Sequence, residues 1–349
     1  MFRHLLVPLD GSRLAEGVLP VARLFARRLA ASITLLHIVE RRPHTQVHGQ
    51  RHLDDPQQAQ TYLDGLTGRL RHEGLDVRCH VHEVAEGDVA RSIVQHAHEL
   101  ASDLIMLTTH GRGGMRGLLV GSVAQQVLGS GLVPVLVVHP DAAAERYACR
   151  RIAVPLDGES HDEHSLPVAR ELAPAFSARV LLVTVVPRPK NLRGARTAAD
   201  RLLPPTTTAE LDLREQEAVL YLKRVAAALR DAGIAVSGQV RRGDPAAELR
   251  RCFREAGVEL TVVATHALKG WTAFWEGSVT PGLVSRWRGP CLLVRAGGGR
   301  AAEDHRRKRR VAASDGGLRS RLARSIDPGK LSLVGPPVPL QDRTISPDA

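Results

Sequence analysis

The stretch RHLLVPLDGS, residues 3–12, returns almost unchanged as RRIAVPLDGES at residues 150–160. The offset of 147 also carries LPVARLFA, with Pro20, onto LPVARELA, with Pro167. Further along it grows to 156. EGDVARSI (86–93) then matches RGDPAAEL (242–249), MLTTHG (106–111) matches VVATHA (262–267), and VPVLVV (133–138) matches GPCLLV (289–294). LLVGSV (118–123) falls on FWEGSV (274–279) in the same frame. Self-similarity in this order means one structural unit used twice. Its bounds put a first domain at 1–141, a linker at 142–149, a second domain at 150–297 and a tail at 298–349. The nine extra residues of the second copy fall in PRPKNLRGARTAADRLLPPTTTAE (187–210), read as a surface excursion.

Each copy alternates strands and helices. HLLVPL is a short continuous apolar strand, and a helix from about Ser12 to Ala31 carries Leu14, Val18, Val21, Ala22, Phe25 and Leu29 on one face. Pro20 should kink that helix unless the helix begins there. SITLLHIV is the second strand, and a helix follows near 56–73. DVRCHVHEV alternates Val77, Cys79 and Val81 with Arg78, His80 and His82, as an edge strand with one wet face does. Asp88 and Asp244-Pro245 suit the N-terminal ends of the next helices. DLIMLTT and VPVLVVH complete the unit. The fold class is therefore α/β: two tandem doubly wound domains, each a five-stranded parallel sheet with helical crossovers. Ligands of such sheets bind at the carboxyl ends of the strands, where the strand order reverses. VPVLVV and PCLLV lie at one edge of each sheet, and an exposed apolar edge is a pairing liability. The two edges are expected to meet within the chain as an intramolecular pseudo-dimer; a homodimer is a further arrangement the sequence allows.

Composition removes several alternatives. Of 349 residues only 3% are aromatic, so the core must be built from Leu, Val, Ile and Ala. No apolar run approaches the roughly 20 residues that span a bilayer. The N-terminus enters strand-like sequence directly, so the expectation is a cytoplasmic protein that does not bind membranes. The net charge of +11 is partly local: residues 298–349 hold eleven Lys/Arg against six Asp/Glu, run through HRRKRR, and lack periodicity. That tail reads as disordered. The rest shows no basic stripe with interleaved aromatics, which argues against specific nucleic-acid binding. Cys79, Cys149, Cys252 and Cys291 lie far apart with no C-x-x-C pair, and read as small apolar fillers in a reducing compartment.

The chemistry-bearing segment is LTTHGRGGMRGLLVGS (107–122), a glycine-rich loop running into a helix whose start at Ser122, with Gln125 three residues on, fits a capping box. Free N–H groups and a positive dipole end suit phosphate, glycines at 111, 113, 114 and 117 allow close approach, and Arg112 and Arg116 add charge. There is no G-x-x-x-x-G-K-[ST], which excludes a Walker-type NTPase. Arg116 stands where a dinucleotide fingerprint needs its third glycine, and the loop follows the fourth strand, so dehydrogenase chemistry is excluded too.

VPLDGS, GD-x-A before a helix, THGRGG, and GSVA-x-x-V followed by PVLVV, in this order, resemble the universal stress protein family in its tandem form. The likeness covers residues 3–139 and 150–295. ATP-binding members carry G-x2-G-x9-G-[ST] after the fourth strand. The first copy has Thr108, Gly111, Gly121 and Ser122 at those places, with Thr replacing the first glycine. The resemblance implies ATP, with or without Mg, bordered by Pro8, Asp10 and Ile38 at the adenosine. Leu107 and Thr108 would lie near the ribose, and Gly111, Gly121, Ser122, Val123 and Ala124 would hold the phosphates. The second copy reads Ala264, Ala267, Gly277 and Ser278, with Trp271, Phe274 and Trp275 filling the loop. Asp157, Val185, Gly277, Ser278, Val279 and Thr280 would form a weaker second site, because a methyl group at 267 obstructs the backbone's approach to phosphate.

Other polar groups read as ordinary structure. His44, His48 and His52 are spaced by four, but Pro43 and Gly49 argue for a loop rather than a metal-binding helix face. His161 and His164 open a helix, and Ser12 and Ser160 are turn and cap residues. No residue set qualifies as a general base beside a phosphate, so no enzyme is expected beyond weak ATP hydrolysis. Two functions remain: a nucleotide-binding stress-response regulator with an unidentified protein partner, or a nucleotide-independent interaction scaffold of the same fold.

Overall fold

The computed structural model describes residues 2–40, 46–47, 50–51, 53, 55–84, 89–109, 122–130, 133–139, 147–157, 164–188, 204–265, 283 and 287–295. All lie within one compact unit, Met1–Ala301. The tail lies outside the described residues.

Apolar β-rich runs become β1 (His4–Pro8) and β2 (Ser32–Glu40), which pair in parallel with Leu5 against Ile33. Between them the expected single helix is split into α1 (Arg13–Glu16) and α2 (Leu19–Leu29). Ser12 caps α1 by accepting from the Ala15 N–H at 3.1 Å, and Pro20 sits in the first turn of α2, where its missing N–H costs nothing. The hairpin β3 (Gln46–Val47) and β4 (Gln50–Arg51) follows, then α3 (Pro56–His72), capped by Asp55, and β5 (Val77–Val84). α4 (Val89–Glu99), β6 (Leu104–Thr108), α5 (Ser122–Ser130) and β7 (Val135–Val138) complete the first copy. Asp88 lies outside the described residues.

The second copy repeats this with β8 (Arg151–Pro155), α6 (Ser165–Phe176), β9 (Arg179–Val186), α7 (Pro204–Asp231), β10 (Val236–Arg242), α8 (Pro245–Glu255), β11 (Leu260–Thr265) and β12 (Cys291–Arg295). Asp244 caps α8, accepting from the Ala247 N–H at 3.0 Å, with Pro245 in the first turn. One difference from the sequence reading is α7. The stretch read as a surface excursion is helical from Pro204, since prolines are tolerated in a first helical turn, while residues 189–203 lie outside the described residues. Leu211, Ala218, Leu222, Val225 and Leu229 then bury a helical stripe.

All ten long strands form one sheet, ordered β10-β9-β8-β11-β12-β7-β6-β1-β2-β5. Pairing is parallel within each copy and antiparallel at the seam, where Leu136 faces Leu292 and Val137 faces Cys291. Leu136 and Leu292 are the same position in the two repeats, so a local twofold axis passes through this pair. The apolar edges therefore meet, as expected. Each side of the sheet carries a core that runs across both copies: one includes Leu136, Leu292, Phe25 and Phe176, the other Val135, Val137, Cys291 and Leu293. On the first side Phe25 of α2 and Phe176 of α6 touch, with ring centroids 4.9 Å apart. Tyr147 and Cys149, at the end of the expected linker, pack into that same core. All four cysteines are free, and only Cys79 is not fully buried.

Candidate functional site

In the first copy the strand order β5-β2-β1-β6-β7 reverses between β1 and β6, which makes their carboxyl ends the switch point. Beyond β1, the Leu9 N–H still donates to the Leu36 carbonyl at 2.8 Å, continuing the ladder. His37, fully buried, presents Nδ1 to the Leu9 carbonyl at 2.8 Å and Nε2 to the Leu53 carbonyl at 3.3 Å. A carbonyl only accepts, so Nδ1 carries the proton at the shorter contact. The imidazole thus pins the chain just before Asp10. Asp10 Oδ1 accepts from the Ser12 N–H at 2.9 Å and the Ser12 hydroxyl at 2.6 Å, fixing the turn through Gly11. Gly11 adopts φ +83°, and a Cβ there would stand 2.6 Å from Leu53 Cδ1. Tyr62 of α3 donates to Glu16 of α1 at 3.1 Å; burial, then Glu16, hold its phenol well above the ordinary range, so it stays a donor.

From the other side of the switch point, β6 delivers Leu107, buried, and Thr108, half-buried. The Thr109 N–H donates to the Val138 carbonyl at 2.9 Å, and its side chain is only 4% exposed. Yet the Thr109 hydroxyl finds no hydrogen-bond partner among the described residues.

Thus Pro8, Asp10, Ile38, Leu107 and Thr108 are brought to the carboxyl ends of β1, β2 and β6. Ser122, Val123 and Ala124 form the first turn of α5, with Ala124 buried. Gly111 and Gly121 lie outside the described residues. In the second copy Asp157 is exposed just past β8 and Val185 is half-buried on β9, while Gly277, Ser278, Val279 and Thr280 lie outside the described residues. The position of His37 is taken there by Thr184, buried and without a hydroxyl partner among the described residues, so no described side chain takes the place of His37 against Leu156.

The universal stress protein family profile matches residues 1–139 and 148–295. The chain belongs to the universal stress protein family. Among its relatives, universal stress protein YxiE of Bacillus subtilis is 26% identical over 151 residues, which is 40% of this chain and all of that protein. A Thermus aquaticus universal stress protein is 28% identical over 145 residues, again 40% of this chain and all of the relative. The crystal structure of a universal stress protein from Archaeoglobus fulgidus superposes over 84% of this chain and 96% of its own, with a TM-score of 0.60 at 16% identity, and shows the same fold.

One polar cluster of this universal stress protein escapes the linear reading. His80 and His82 share the wet face of β5, and His96 of α4 lies against them. Burial, followed by the neighbouring His96 and His82, holds the His80 imidazole below its ordinary range. The visible signal was His-x-His on an edge strand; the third histidine comes only from how the crossover packs. His44, His48, His52 and His161 lie outside the described residues, and His164 stands at the N-terminal end of α6 without a side-chain capping bond.

Proposed function

We propose that this universal stress protein binds ATP, with or without Mg, at the switch point of its first copy, and that occupancy acts as a regulatory signal to a protein partner rather than as substrate for turnover. The observation that carries the reading is the pinned β1 terminus facing the end of β6. His37 and the Asp10–Ser12 turn hold Pro8 and Asp10 in place, opposite the buried Thr109 hydroxyl, which has no partner among the described residues. Pro8, Asp10 and Ile38 border the adenosine, Leu107 and Thr108 the ribose, and the start of α5 with Gly111, Gly121 and Ser122 receives the phosphates through backbone N–H groups. Mg, when bound, would offset phosphate charge. Asp10 and His37, two titratable groups described at these strand ends, are engaged in holding the chain. That favours binding over catalysis.

The second copy is the weaker site, since Thr184 replaces the pinning histidine and Ala267 replaces Gly111. Calorimetric titration of ATP into the full chain should show one dominant site. A methyl group at 111 removes a charge-assisted contact, so Gly111→Ala should weaken binding by roughly 5- to 150-fold. Gly277→Ala should leave the dominant site intact. Two equal sites in the wild type, or unchanged binding in Gly111→Ala, would refute the asymmetry. No binding at all would leave the scaffold reading.

A further inference from the structure

We propose that His80, His82 and His96 form a divalent transition-metal site, with Zn2+ as the fitting ion, on the outer strand of the first copy. β5 is the last strand of the sheet, and its two-residue period puts His80 and His82 on one face. α4 crosses that face and brings in His96, 5% exposed, with ring centroids 5.0 Å from His80 and 4.5 Å from His82. One ligand nitrogen from each of the three lies within 4.8 Å of the others.

His96 is already oriented as a ligand. Its Nδ1 lies 2.7 Å from the Ser92 carbonyl, which can only accept, so the proton is on Nδ1 and the lone pair on Nε2. Metal-bound histidines are held in this way, by donating the other ring N–H to a carbonyl. Nitrogens on a tetrahedral Zn2+ stand about 3.3–3.4 Å apart, given Zn–N distances of roughly 2.0–2.1 Å. Closing the widest gap takes side-chain rotation of His80 and His82, which keep solvent access. Three imidazoles leave the fourth position to water.

The second copy shows what this place in the fold demands. Strand register matches His80, opposite Leu36, with Gln239, opposite Val183, and His82, opposite Ile38, with Arg241, opposite Val185. The offset of 156 matches His96 with Cys252 and Glu99 with Glu255. There the set is closed. Cys252 donates to Gln239 Oε1 at 3.3 Å, and Arg241 donates to the same oxygen at 2.9 Å and to Glu255 at 2.8 Å. The cation opposite Glu255 is built in as a guanidinium. In the first copy three neutral-ligand side chains converge, with Glu99 within electrostatic range of His80, and no guanidinium stands at the position of Arg241. A bound dication takes that role.

The test is calorimetric titration of Zn2+ into the metal-free, tag-free full chain, with Co2+ absorption spectra as a second readout. Wild type should bind one ion per chain with visible bands of an imidazole-ligated Co2+. His80→Ala and His82→Ala, both at solvent-accessible strand positions, should each weaken binding roughly 100-fold or more and abolish the Co2+ bands, while circular dichroism stays that of wild type. His96→Ala should do the same. A variant with His44, His48 and His52 all changed to Ala should retain the site. Wild-type binding weaker than about 0.1 mM, or affinity lost in that triple variant but kept in His80→Ala and His82→Ala, overturns the proposal. ATP binding at the switch point is measured separately and does not bear on this outcome.

Discussion

Leu136 and Leu292 meet across the antiparallel seam, both with no exposed surface. If the seam joins the two copies into one cooperative unit, truncating either residue should destabilise the whole. A buried Leu→Ala change costs about 2–5 kcal/mol, so each single variant should lose about 3 kcal/mol. In a unit of this size that lowers the melting temperature by roughly 6 °C. The decisive quantity is the coupling. Directly opposed residues share one space, so the second truncation enlarges an existing cavity and removes a contact already lost. The double variant should therefore cost about 5 kcal/mol rather than about 6, a coupling near 1 kcal/mol. The control pairs Leu136→Ala with Leu63→Ala: Leu63 is buried under β5, four strand spacings or about 19 Å from β7, and should add independently. Urea denaturation followed by circular dichroism measures all of these. Additivity of Leu136 and Leu292 within about 0.3 kcal/mol, or two separate transitions, one per copy, would sink the idea of a shared core.

Two further outcomes are expected. Gly11→Ala forces φ +83° on a residue with a Cβ and drives it to 2.6 Å from Leu53, so it should cost about 2 kcal/mol and weaken ATP binding by displacing Asp10; neutrality in both assays contradicts the site's geometry. Burial pushes the thiols of Cys149 and Cys291 up to about 12 from 9.0, so above pH 9 the unfolded chain loses protons that the folded chain keeps. Stability present below pH 9 should fall as pH rises, by about 1.4 kcal/mol per thiol at pH 10, and a Cys149→Ala/Cys291→Ala variant should show a flatter decline; an identical slope refutes this.

Most of the fold was legible because it is written twice. Agreement between copies marked strands, the caps at Ser12 and Asp244, and the apolar edges that pair. Legibility ended where three-dimensional packing decides. Pro20 announced a break, but only the local cap of Ser12 turns the first part into a separate helical turn. Pro204 and Pro205 looked like loop residues, yet they occupy the one part of a helix that accepts proline. Pro8, Asp10 and Thr108 are named by the family resemblance, and they stand at the strand ends to which the switch-point rule points. The pinning role of His37 was not legible, since its partners are backbone carbonyls that carry no sequence signal. His96 likewise reads as one polar residue in an amphipathic helix until the crossover sets it against β5.

The contact between Phe25 and Phe176 has an evolutionary consequence. In a dimer of identical chains, a substitution beside the axis is made twice, and each side must suit its own image. Here the repeat counterpart of Phe25 is Leu172, and that of Phe176 is Leu29. Two large rings sit together at one contact while the mirrored positions carry leucines, an arrangement no self-pairing chain could hold. Joining the copies covalently keeps them at high effective concentration, so neither half must remain self-complementary to find its mate. Each half is free to drift alone, and one can carry the histidine at 37 that pins its first strand while the other has Thr184 there.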